Sequence, residues 1–320
     1  MTKTVLVLVE TVDDYLPLLE DNGYRLIRAK TPALRAEAVA RHGGEIDVVL
    51  TRGPLGISAE EIAALPLLRL ICVIGAGYEA VDLAAAAARG IVVTNGAGAN
   101  ASAVADHTMA LLFAVVRDIC RADATTRLGQ WNRVISPSLA GKRLGILGLG
   151  AVGMAIAKRG ALGFDMQVSY HNRSPRSDVP YQYRASVLEL ARESDFLIVA
   201  TPGGANTRAL VGREVLDALG PQGFLVNIAR ASVVSTAELV AALRDGRIAG
   251  AGLDVFDDEP SVPDELKQLG NVVLTPHVAA QTPEAARDMV ALVLKNLQAF
   301  FAGEPVLTPV AVSYTHLRAH

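Results

Sequence analysis

The chain has 320 residues, of which 33 are acidic and 30 are basic, so its formal net charge is −3. This balance argues against the strongly basic composition of most nucleic-acid-binding proteins, and we expect no nucleic-acid partner. Although 51% of the residues are hydrophobic, the longest apolar run is residues 109–116. That run is far shorter than the roughly 20 residues of a membrane span, so no membrane partner is expected. A single hydrophobic core rarely extends over more than roughly 250–300 residues, so the length of this chain predicts two domains.

The first part of the chain alternates short β-branched runs with helical patterns. Strands are predicted at residues 5–9, 47–51, 69–74 and 91–94, and one of the helices between them at residues 79–89. This alternation is typical of βαβ units and predicts a parallel sheet. Residues 5–9 are too short for the apolar region of a signal peptide, and the two cysteines, Cys72 and Cys120, make no disulfide framework. Both features favour a reducing compartment, and we expect the cytoplasm.

A second series of strands follows a predicted hinge at residues 95–98, where two glycines and an asparagine follow a strand. Residues 101–128 predict one long, mostly apolar helix that crosses between the domains. The later strands, which predict a second and larger parallel sheet, are residues 143–147, 166–170, 196–201, 224–228, 250–254 and 272–275.

Helix-terminal signals accompany this second series. Ser235 and Glu238 have the spacing of a capping box, and Gly246 suits the end of the same helix. Thr282 suits the N-cap of a last helix at residues 283–301. Residues 311–320 show no helical or strand period, so we expect a non-native or disordered tail there.

A glycine-rich turn follows the predicted strand at residues 143–147 and opens a helix. Its residues are Gly148, Leu149, Gly150, Ala151, Val152 and Gly153. In this context the first glycine permits a tight turn, the second lets the backbone approach a pyrophosphate, and the third allows close packing of helix on strand. The helix N-terminus adds N–H donors, so the pattern predicts a dinucleotide-binding site.

The next strand ends without the acidic residue that binds the ribose 2′-hydroxyl in NAD-binding folds. His171 or Asn172 takes its place, beside Arg173 and Ser174. A guanidinium and a hydroxyl suit a 2′-phosphate. NADP(H) is therefore the predicted cofactor, with NAD(H) also possible.

Three further polar residues follow later strands of the second sheet: Arg230, Glu259 and His277. Taken singly, each has an ordinary structural explanation, as a surface ion pair, part of an acidic loop, or a helix cap. Together they suffice for reduction of a 2-oxo acid. The imidazole is the acid/base, the carboxylate orients it, and the guanidinium binds the substrate carboxylate. We expect no metal.

From about residue 48 to residue 310 the chain resembles the D-isomer-specific 2-hydroxyacid dehydrogenases, and most closely their glyoxylate/hydroxypyruvate and hydroxyphenylpyruvate reductase branch. The segments that carry the resemblance are residues 75–78, 148–153, 170–174, 227–230, 252–256, 258–260 and 275–277. It implies an α/β fold of two doubly wound parallel-sheet domains, with an active-site cleft between them. A flavodoxin-like substrate domain would comprise residues 1–98 and 286–310, and a Rossmann nucleotide domain residues 99–285.

The resemblance also implies roles for individual residues. Arg230 would bind and polarise the 2-oxo acid, Glu259 would pair with His277, and His277 would be the acid/base. The backbone of Ile74, Gly75, Ala76 and Gly77 would hold the substrate carboxylate. The residues that would line the cofactor are Thr108, Thr201, Pro202, Ala229 and Asp254. Trp131 resembles part of the arm through which family members form homodimers, although ordinary core burial would also explain it.

Two departures from the family pattern stand out. Ala231 follows Arg230 where the family usually has glycine, and Arg52 follows an N-terminal strand where relatives often carry a small or neutral polar residue. We expect activity in spite of the first, and the second adds a candidate substrate contact. Two alternatives remain open: an NAD(H)-sensing, corepressor-like binding protein of the same fold, and a dehydrogenase of a larger 2-hydroxy acid.

Overall fold

The computed structural model of the protein describes residues 2–311 and contains twelve strands and twelve α-helices in that range. The strands are β1 Lys3–Val7, β2 Tyr24–Arg28, β3 Val48–Arg52, β4 Leu70–Ile74, β5 Val92–Asn95, β6 Arg143–Leu147, β7 Gln167–His171, β8 Gln182–Tyr183, β9 Phe196–Val199, β10 Phe224–Asn227, β11 Gly250–Leu253 and β12 Val272–Leu274. The helices are α1 Pro17–Asp21, α2 Pro32–His42, α3 Ala59–Ala63, α4 Leu83–Ala88, α5 Ala101–Val116, α6 Ile119–Arg127, α7 Ala151–Phe164, α8 Val187–Arg192, α9 Arg213–Leu219, α10 Thr236–Arg244, α11 Asp264–Lys267 and α12 Pro283–Ala302.

The chain forms two compact units. One contains the chain up to Asn100 together with the segment from Gln281 onward, and the other is Ala101–Ala280. These boundaries lie within five residues of those predicted from the sequence, residues 98/99 and 285/286. The roles assigned there to the two domains stay predictions.

The first unit is built on a five-stranded parallel sheet in the order β2-β1-β3-β4-β5. This is the flavodoxin-like order, and it confirms the predicted fold class. Strand β2 was not predicted, because its sequence YRLIR, at the sheet edge, contains two arginines and none of it is fully buried. The N-cap of α12 is as predicted, since Thr282 Oγ1 accepts the N–H of Ala285 at 3.1 Å.

The chain beyond α12 returns to this sheet. The N–H of Val310 donates to the carbonyl of Val93 at 2.8 Å, and Val310 is buried. The segment that follows α12 is therefore part of the unit at least as far as Val310. Residues 312–320 of the predicted tail lie outside the described residues.

The second unit is built on a seven-stranded parallel sheet in the order β12-β11-β10-β9-β6-β7-β8. The chain runs outward from β6 through β7 to β8, then crosses to β9 on the other side of β6. That reversal is the switch point at which doubly wound sheets bind ligands, and the order confirms the predicted Rossmann fold. Strand β8 escaped prediction because it is only two residues long.

Alternate side chains of this sheet enter different cores. Ile146 and Ile198 pack with Leu112 of α5 and Ile156 of α7 in one cluster. Leu197 and its neighbours pack with α8, α9 and α10 in the other. Because both faces are covered, β9 and β10 are buried at every position and almost entirely apolar, which is why the sequence predicted them well.

Two predictions about helices are wrong. The helix expected at residues 101–128 is broken, because Asp118 takes a left-handed backbone conformation with φ 53°, which Asp tolerates better than most residues. The resulting α5 and α6 both lie in the second unit. The capping box does not form either: Ser235 makes no side-chain cap in the described part of the chain, and Glu238 pairs with Arg213 instead.

No helix within residues 2–311 is long and apolar enough to cross a membrane.

Candidate active site

The candidate site residues of the second unit follow its strands at one edge of the sheet. Because all neighbouring strands are parallel, their carboxyl ends lie side by side. From one side of the sheet to the other, the residues at this edge are His277 after β12, Asp254 to Glu259 after β11, Arg230 after β10, Thr201 and Pro202 after β9, the glycine-rich turn after β6, and His171 to Ser174 at β7. Open α/β sheets bind ligands at this edge.

His277 and Glu259 form a close pair. Nδ1 of His277 lies 2.7 Å from Oε2 of Glu259, and Oε1 of Glu259 accepts the N–H of Phe256 at 3.1 Å. An ionised carboxylate only accepts hydrogen bonds, so Nδ1 donates and Nε2 is left for another partner. Both side chains are partly exposed. The pair therefore presents an oriented imidazole that can exchange a proton through Nε2.

The loop that carries His277 is held by the carboxylate of Asp254, which is fully buried. Its Oδ1 accepts the Thr275 hydroxyl at 2.6 Å and the Val278 N–H at 2.9 Å, and its Oδ2 accepts the Ala279 N–H at 3.0 Å. His277 itself has φ 53°, which is uncommon for a residue other than glycine. Asp254 thus fixes the backbone on both sides of an unusual conformation.

His107 of α5 extends this network. Its Nε2 lies 3.0 Å from Thr275 Oγ1 and 3.4 Å from Asp254 Oδ1. Because the Thr275 hydroxyl donates to Asp254, its oxygen is free to accept from Nε2–H of His107. Sequence reasoning missed this role. The available signal was a histidine within an otherwise apolar helix.

Arg230 leaves β10 through a turn that Asn227 fixes. Asn227, which is buried, donates from Nδ2 to the carbonyl of Arg230 at 3.0 Å and accepts the Ala229 N–H at 3.1 Å. Nη1 of Arg230 donates to the Ala229 carbonyl at 2.7 Å. The half-buried guanidinium therefore lies at the same edge as the His277–Glu259 pair, on the strand next to β11.

The glycine-rich turn has the geometry that a pyrophosphate requires. Gly148 has φ +100°, and a Cβ there would lie 2.7 Å from the Thr201 backbone, while a Cβ on Gly153 would lie 2.2 Å from the Gly148 carbonyl oxygen. A Cβ on Gly150 would meet no described atom within 4 Å, so this glycine faces open space. Among residues 2–311 no side chain caps α7, whose first N–H groups can therefore bind an anion.

At the end of β7, two residues have side chains that make hydrogen bonds with neighbouring backbone, and the two that follow have side chains that do not. Asn172 Oδ1 accepts the Leu149 N–H at 2.7 Å, and Nδ1 of His171 lies 2.8 Å from the Arg184 carbonyl. Arg173 and Ser174 are exposed, and in the described structure neither side chain makes a hydrogen bond or ion pair. Arg173 is therefore available to an external anion.

Arg176 was not predicted as a site residue, yet it also contacts the turn. Its Nη1 donates to the Leu149 carbonyl at 2.8 Å, and Asp178 accepts from Nε at 3.0 Å. The hydrogen bonds with Asp178 raise the pKa of the Arg176 guanidinium, and the same contact lowers the pKa of Asp178. A second permanently charged group thus lies three residues after Arg173.

Comparison with known proteins identifies the family. Residues 109–279 match the family model described as D-isomer specific 2-hydroxyacid dehydrogenase, NAD binding domain. A hydroxyphenylpyruvate reductase from Plectranthus scutellarioides is 42% identical over 299 residues, which are 92% of this chain and 95% of that protein. The chain belongs to the D-isomer specific 2-hydroxyacid dehydrogenase family. It is therefore an oxidoreductase, and Ala101–Ala280 contains its NAD-binding domain.

Solved structures of dehydrogenases agree with this assignment over nearly the whole chain. A 2-hydroxyacid dehydrogenase from Ketogulonicigenium vulgare has a TM-score of 0.87 and 42% identity, and the match covers 97% of this chain and 99% of that one. An NADPH-dependent glyoxylate/hydroxypyruvate reductase from Sinorhizobium meliloti, in complex with NADP and malonate, has a TM-score of 0.86 and 37% identity over 100% of both chains.

Five candidate substrate contacts, four implied by the family resemblance and Arg52 as a departure from it, belong to the first unit, and the structure groups them at the carboxyl edge of its sheet. Arg52 at the end of β3 is in register with Ile74 at the end of β4, and the next residues are Gly75, Ala76 and Gly77. The Ala76 carbonyl accepts from Asn95 Nδ2 at 2.8 Å. The side chain of Arg52 is exposed and forms no hydrogen bond or ion pair among the described residues.

Two of the residues expected to line the cofactor are buried and hydrogen-bonded within the second unit. Thr108 is fully buried, and its hydroxyl donates to the Val104 carbonyl at 2.6 Å within α5. Asp254 is buried and bonded to the His277 loop. The polar groups of both side chains are engaged within the protein, and the contact of these two residues with the cofactor stays a prediction. Thr201, Pro202 and Ala229 lie at the sheet edge, and their contact with the cofactor stays a prediction.

Within the described residues, no group of three or more His, Cys, Asp and Glu side chains is placed to hold a metal ion.

Proposed function

We propose that this dehydrogenase reduces a small 2-oxo acid of the glyoxylate or hydroxypyruvate type to the D-2-hydroxy acid with NADPH. The observation that carries the proposal is the 2.7 Å pair of His277 and Glu259, beside Arg230 and on the same sheet edge as the glycine-rich turn. The named activity of the Sinorhizobium relative supports this substrate class and NADPH, and that of the Plectranthus relative, a hydroxyphenylpyruvate reductase, supports reduction of a 2-oxo acid.

Each side chain of the trio has a separate task in this proposal. His277 gives a proton from Nε2 to the carbonyl oxygen of the substrate, because Nδ1 is engaged with Glu259. Glu259 fixes the tautomer and direction of the imidazole. Arg230 binds the substrate carboxylate, for which a planar guanidinium is well suited. The nicotinamide cofactor, when bound, supplies the hydride that the carbonyl carbon gains.

The chain offers two groups of contacts for NADPH. The free N–H groups at the start of α7, next to Gly150, would bind the pyrophosphate. Arg173 and Ser174 would bind the 2′-phosphate, since both side chains are exposed and without partners among the described residues. A carboxylate at this place would repel that phosphate, and none is present at residues 171–174. This supports NADPH over NADH.

The first unit contributes the proposed carboxylate contacts at residues 74–77, with Arg52 as an additional contact. Gly75 has φ +85°, and a Cβ there would meet no described atom within 4 Å. The backbone of this loop is thus open to an approaching anion, which supports the role that the family resemblance implies.

An apolar arm supports a homodimer. Residues 128–135 follow α6 and expose Trp131 by 83% and Ile135 by 102%. Aromatic side chains exposed in this way are typical anchors of protein interfaces. Light scattering should give the mass of a dimer for the wild type, and the double variant Trp131→Ser, Ile135→Ser should shift it toward a monomer. A monomeric wild type would contradict the proposal.

Both cysteines are free, which supports a reducing compartment such as the cytoplasm.

A substrate panel tests the proposed reaction. Purified protein is assayed with NADPH and with NADH against glyoxylate, hydroxypyruvate, hydroxyphenylpyruvate and 2-ketogluconate. We expect the highest kcat/KM with one of the two smallest acids and NADPH. A preference for the bulkier acids would assign a larger 2-hydroxy acid, and nucleotide binding without turnover on any acid would favour the sensing alternative.

A further inference from the structure

Gly203 lies against the side chain of Arg230. It belongs to the segment after β9, directly after Thr201 and Pro202. A Cβ built on Gly203 would lie 2.8 Å from Cγ and 3.1 Å from Cβ of Arg230, and 3.6 Å from Ser232 Oγ. Ordinary van der Waals contact begins near 3.4 Å. Any side chain at this position would therefore overlap with the base of the arginine side chain.

The overlap cannot be relieved by moving only the tip of Arg230. Cβ and Cγ are the first atoms of the side chain, so their displacement redirects the whole guanidinium. The backbone has little freedom to retreat, because Asn227 fixes the turn that carries Arg230 and Val199 of β9 is in register with Asn227 of β10. An added methyl group should therefore change where the guanidinium lies.

The requirement for glycine at this position is steric. The φ of Gly203 lies outside the left-handed region, in contrast to Gly204 with φ +149°. Alanine is thus compatible with the local backbone, and only the contact with Arg230 opposes it. A change at Gly203 can consequently be attributed to Arg230 and not to a distorted loop.

We propose that Gly203 is a positioning residue for substrate binding. Because Gly203 has no side chain, Cβ and Cγ of Arg230 can occupy the space beside it, and their position determines where the guanidinium lies. The inference rests on the proposed function of Arg230 as the group that binds the 2-oxo acid. It assigns to the segment after β9 an effect on the substrate in addition to the cofactor contacts predicted for Thr201 and Pro202.

The first test is steady-state kinetics of Gly203→Ala with glyoxylate or hydroxypyruvate and NADPH. A displacement approaching 1 Å of a substrate-binding group costs up to about 100-fold, so we expect kcat/KM for the acid to fall about 10- to 100-fold. KM for NADPH and the melting temperature should not change. Gly163→Ala is the matched control, because Gly163 is exposed on α7 and a Cβ there would meet no described atom within 4 Å.

The second test asks whether the effect acts through Arg230. Binding of oxamate, an unreactive analogue of a 2-oxo acid, is measured by calorimetry on the NADPH complexes of the wild type, Gly203→Ala, Arg230→Ala and the double variant. We expect Gly203→Ala to weaken oxamate binding in the wild-type background and to have no further effect in Arg230→Ala, which lacks Cγ.

The outcomes separate this inference from the proposed function. If the wild type reduces no 2-oxo acid, the proposed function fails and the inference fails with it. If the wild type is active and Gly203→Ala equals it in kcat/KM, the inference alone is overturned. It is also overturned if KM for NADPH rises in parallel, or if the effects of the two substitutions on oxamate binding simply add.

Discussion

Replacing Asp254 by Asn tests whether its buried carboxylate positions the loop that carries His277. Three donors point at this carboxylate: the Thr275 hydroxyl and the N–H groups of Val278 and Ala279. Asparagine has nearly the same shape, but it presents an NH₂ group in place of one oxygen. At least one buried donor must then face another donor.

The size of the effect follows from the burial of Asp254, which is 0% exposed. A buried donor without an acceptor costs about 1–3 kcal/mol, and loss of the charge-assisted bonds acts in the same direction, so we expect the free energy of unfolding to fall by about 2–3 kcal/mol. Relaxation of the loop also shifts His277 from its φ of 53°. Misplacement of the imidazole by ~1 Å should lower kcat by up to about 100-fold.

Urea unfolding and steady-state kinetics measure the two effects. Asp258→Asn is the matched control, because Asp258 lies on the same segment after β11 with an exposed side chain. We expect KM for NADPH to be unchanged in both variants. Wild-type stability and kcat in Asp254→Asn would refute the reasoning, whereas a raised KM for NADPH at unchanged kcat would support the cofactor contact of Asp254 that is predicted from the sequence.

Three further predictions concern the cofactor, the pH dependence of stability and the thiols. Arg173→Ala should weaken NADPH binding by about 1.5–3 kcal/mol and NADH binding much less, since only NADPH carries the 2′-phosphate; equal losses in KM for both would contradict the assignment. Burial alone would raise the pKa of Asp195, but hydrogen bonds from the side chain and backbone of Arg143 lower it overall. A pKa that is lower in the folded state than in the unfolded state stabilises the fold at pH values above the unfolded pKa of about 4. This stability is lost as the pH falls through the folded-state pKa. The pair is partly exposed, so Asp195→Asn should cost up to about 1 kcal/mol at pH 7. Urea titrations should show this difference shrink as the pH falls below about 4 and vanish below the folded-state pKa; a constant difference would refute it. Burial raises the pKa of the Cys72 thiol to about 12, so mass spectrometry after iodoacetamide treatment at pH 8 should find label on exposed Cys120 and none on Cys72.

The strands and the glycine-rich turn could be predicted because their signals are local. Strand β4, LICVI, is buried at all five positions, and a continuous apolar run of this kind is typical of a parallel sheet. The turn at residues 148–153 combines three glycines with a strand before and a helix after it. In both cases neighbouring residues contain the whole signal.

Elements whose form depends on distant partners could not be predicted. Strand β2 contains two arginines among its five residues, and pairing with β1 alone makes it a strand. Ser235 and Glu238 have capping-box spacing, but Arg213, twenty-five residues before Glu238, is the partner that Glu238 takes. A rule based on sequence spacing does not take into account distant residues that compete for the same side chain.

The candidate site was predicted to the extent that its residues follow strands. Arg230, Glu259 and His277 could be placed at one edge because parallel strands end together. The task of Asp254 could not be read in the same way, since it depends on hydrogen bonds to Thr275, Val278 and Ala279 across a neighbouring strand. His107 was missed for the same reason: its hydrogen-bond partner Thr275 lies 168 residues away in the chain.

Turnover of His277→Ala with NADPH and glyoxylate or hydroxypyruvate tests the proposed reaction most directly. Loss of a general acid typically costs 10²–10⁴-fold, so we expect kcat to fall by about that factor. NADPH binding, followed by fluorescence, should be retained, because the glycine-rich turn and Arg173 are untouched. Turnover near that of the wild type, with NADPH still bound, would contradict the assignment of His277 as the acid/base.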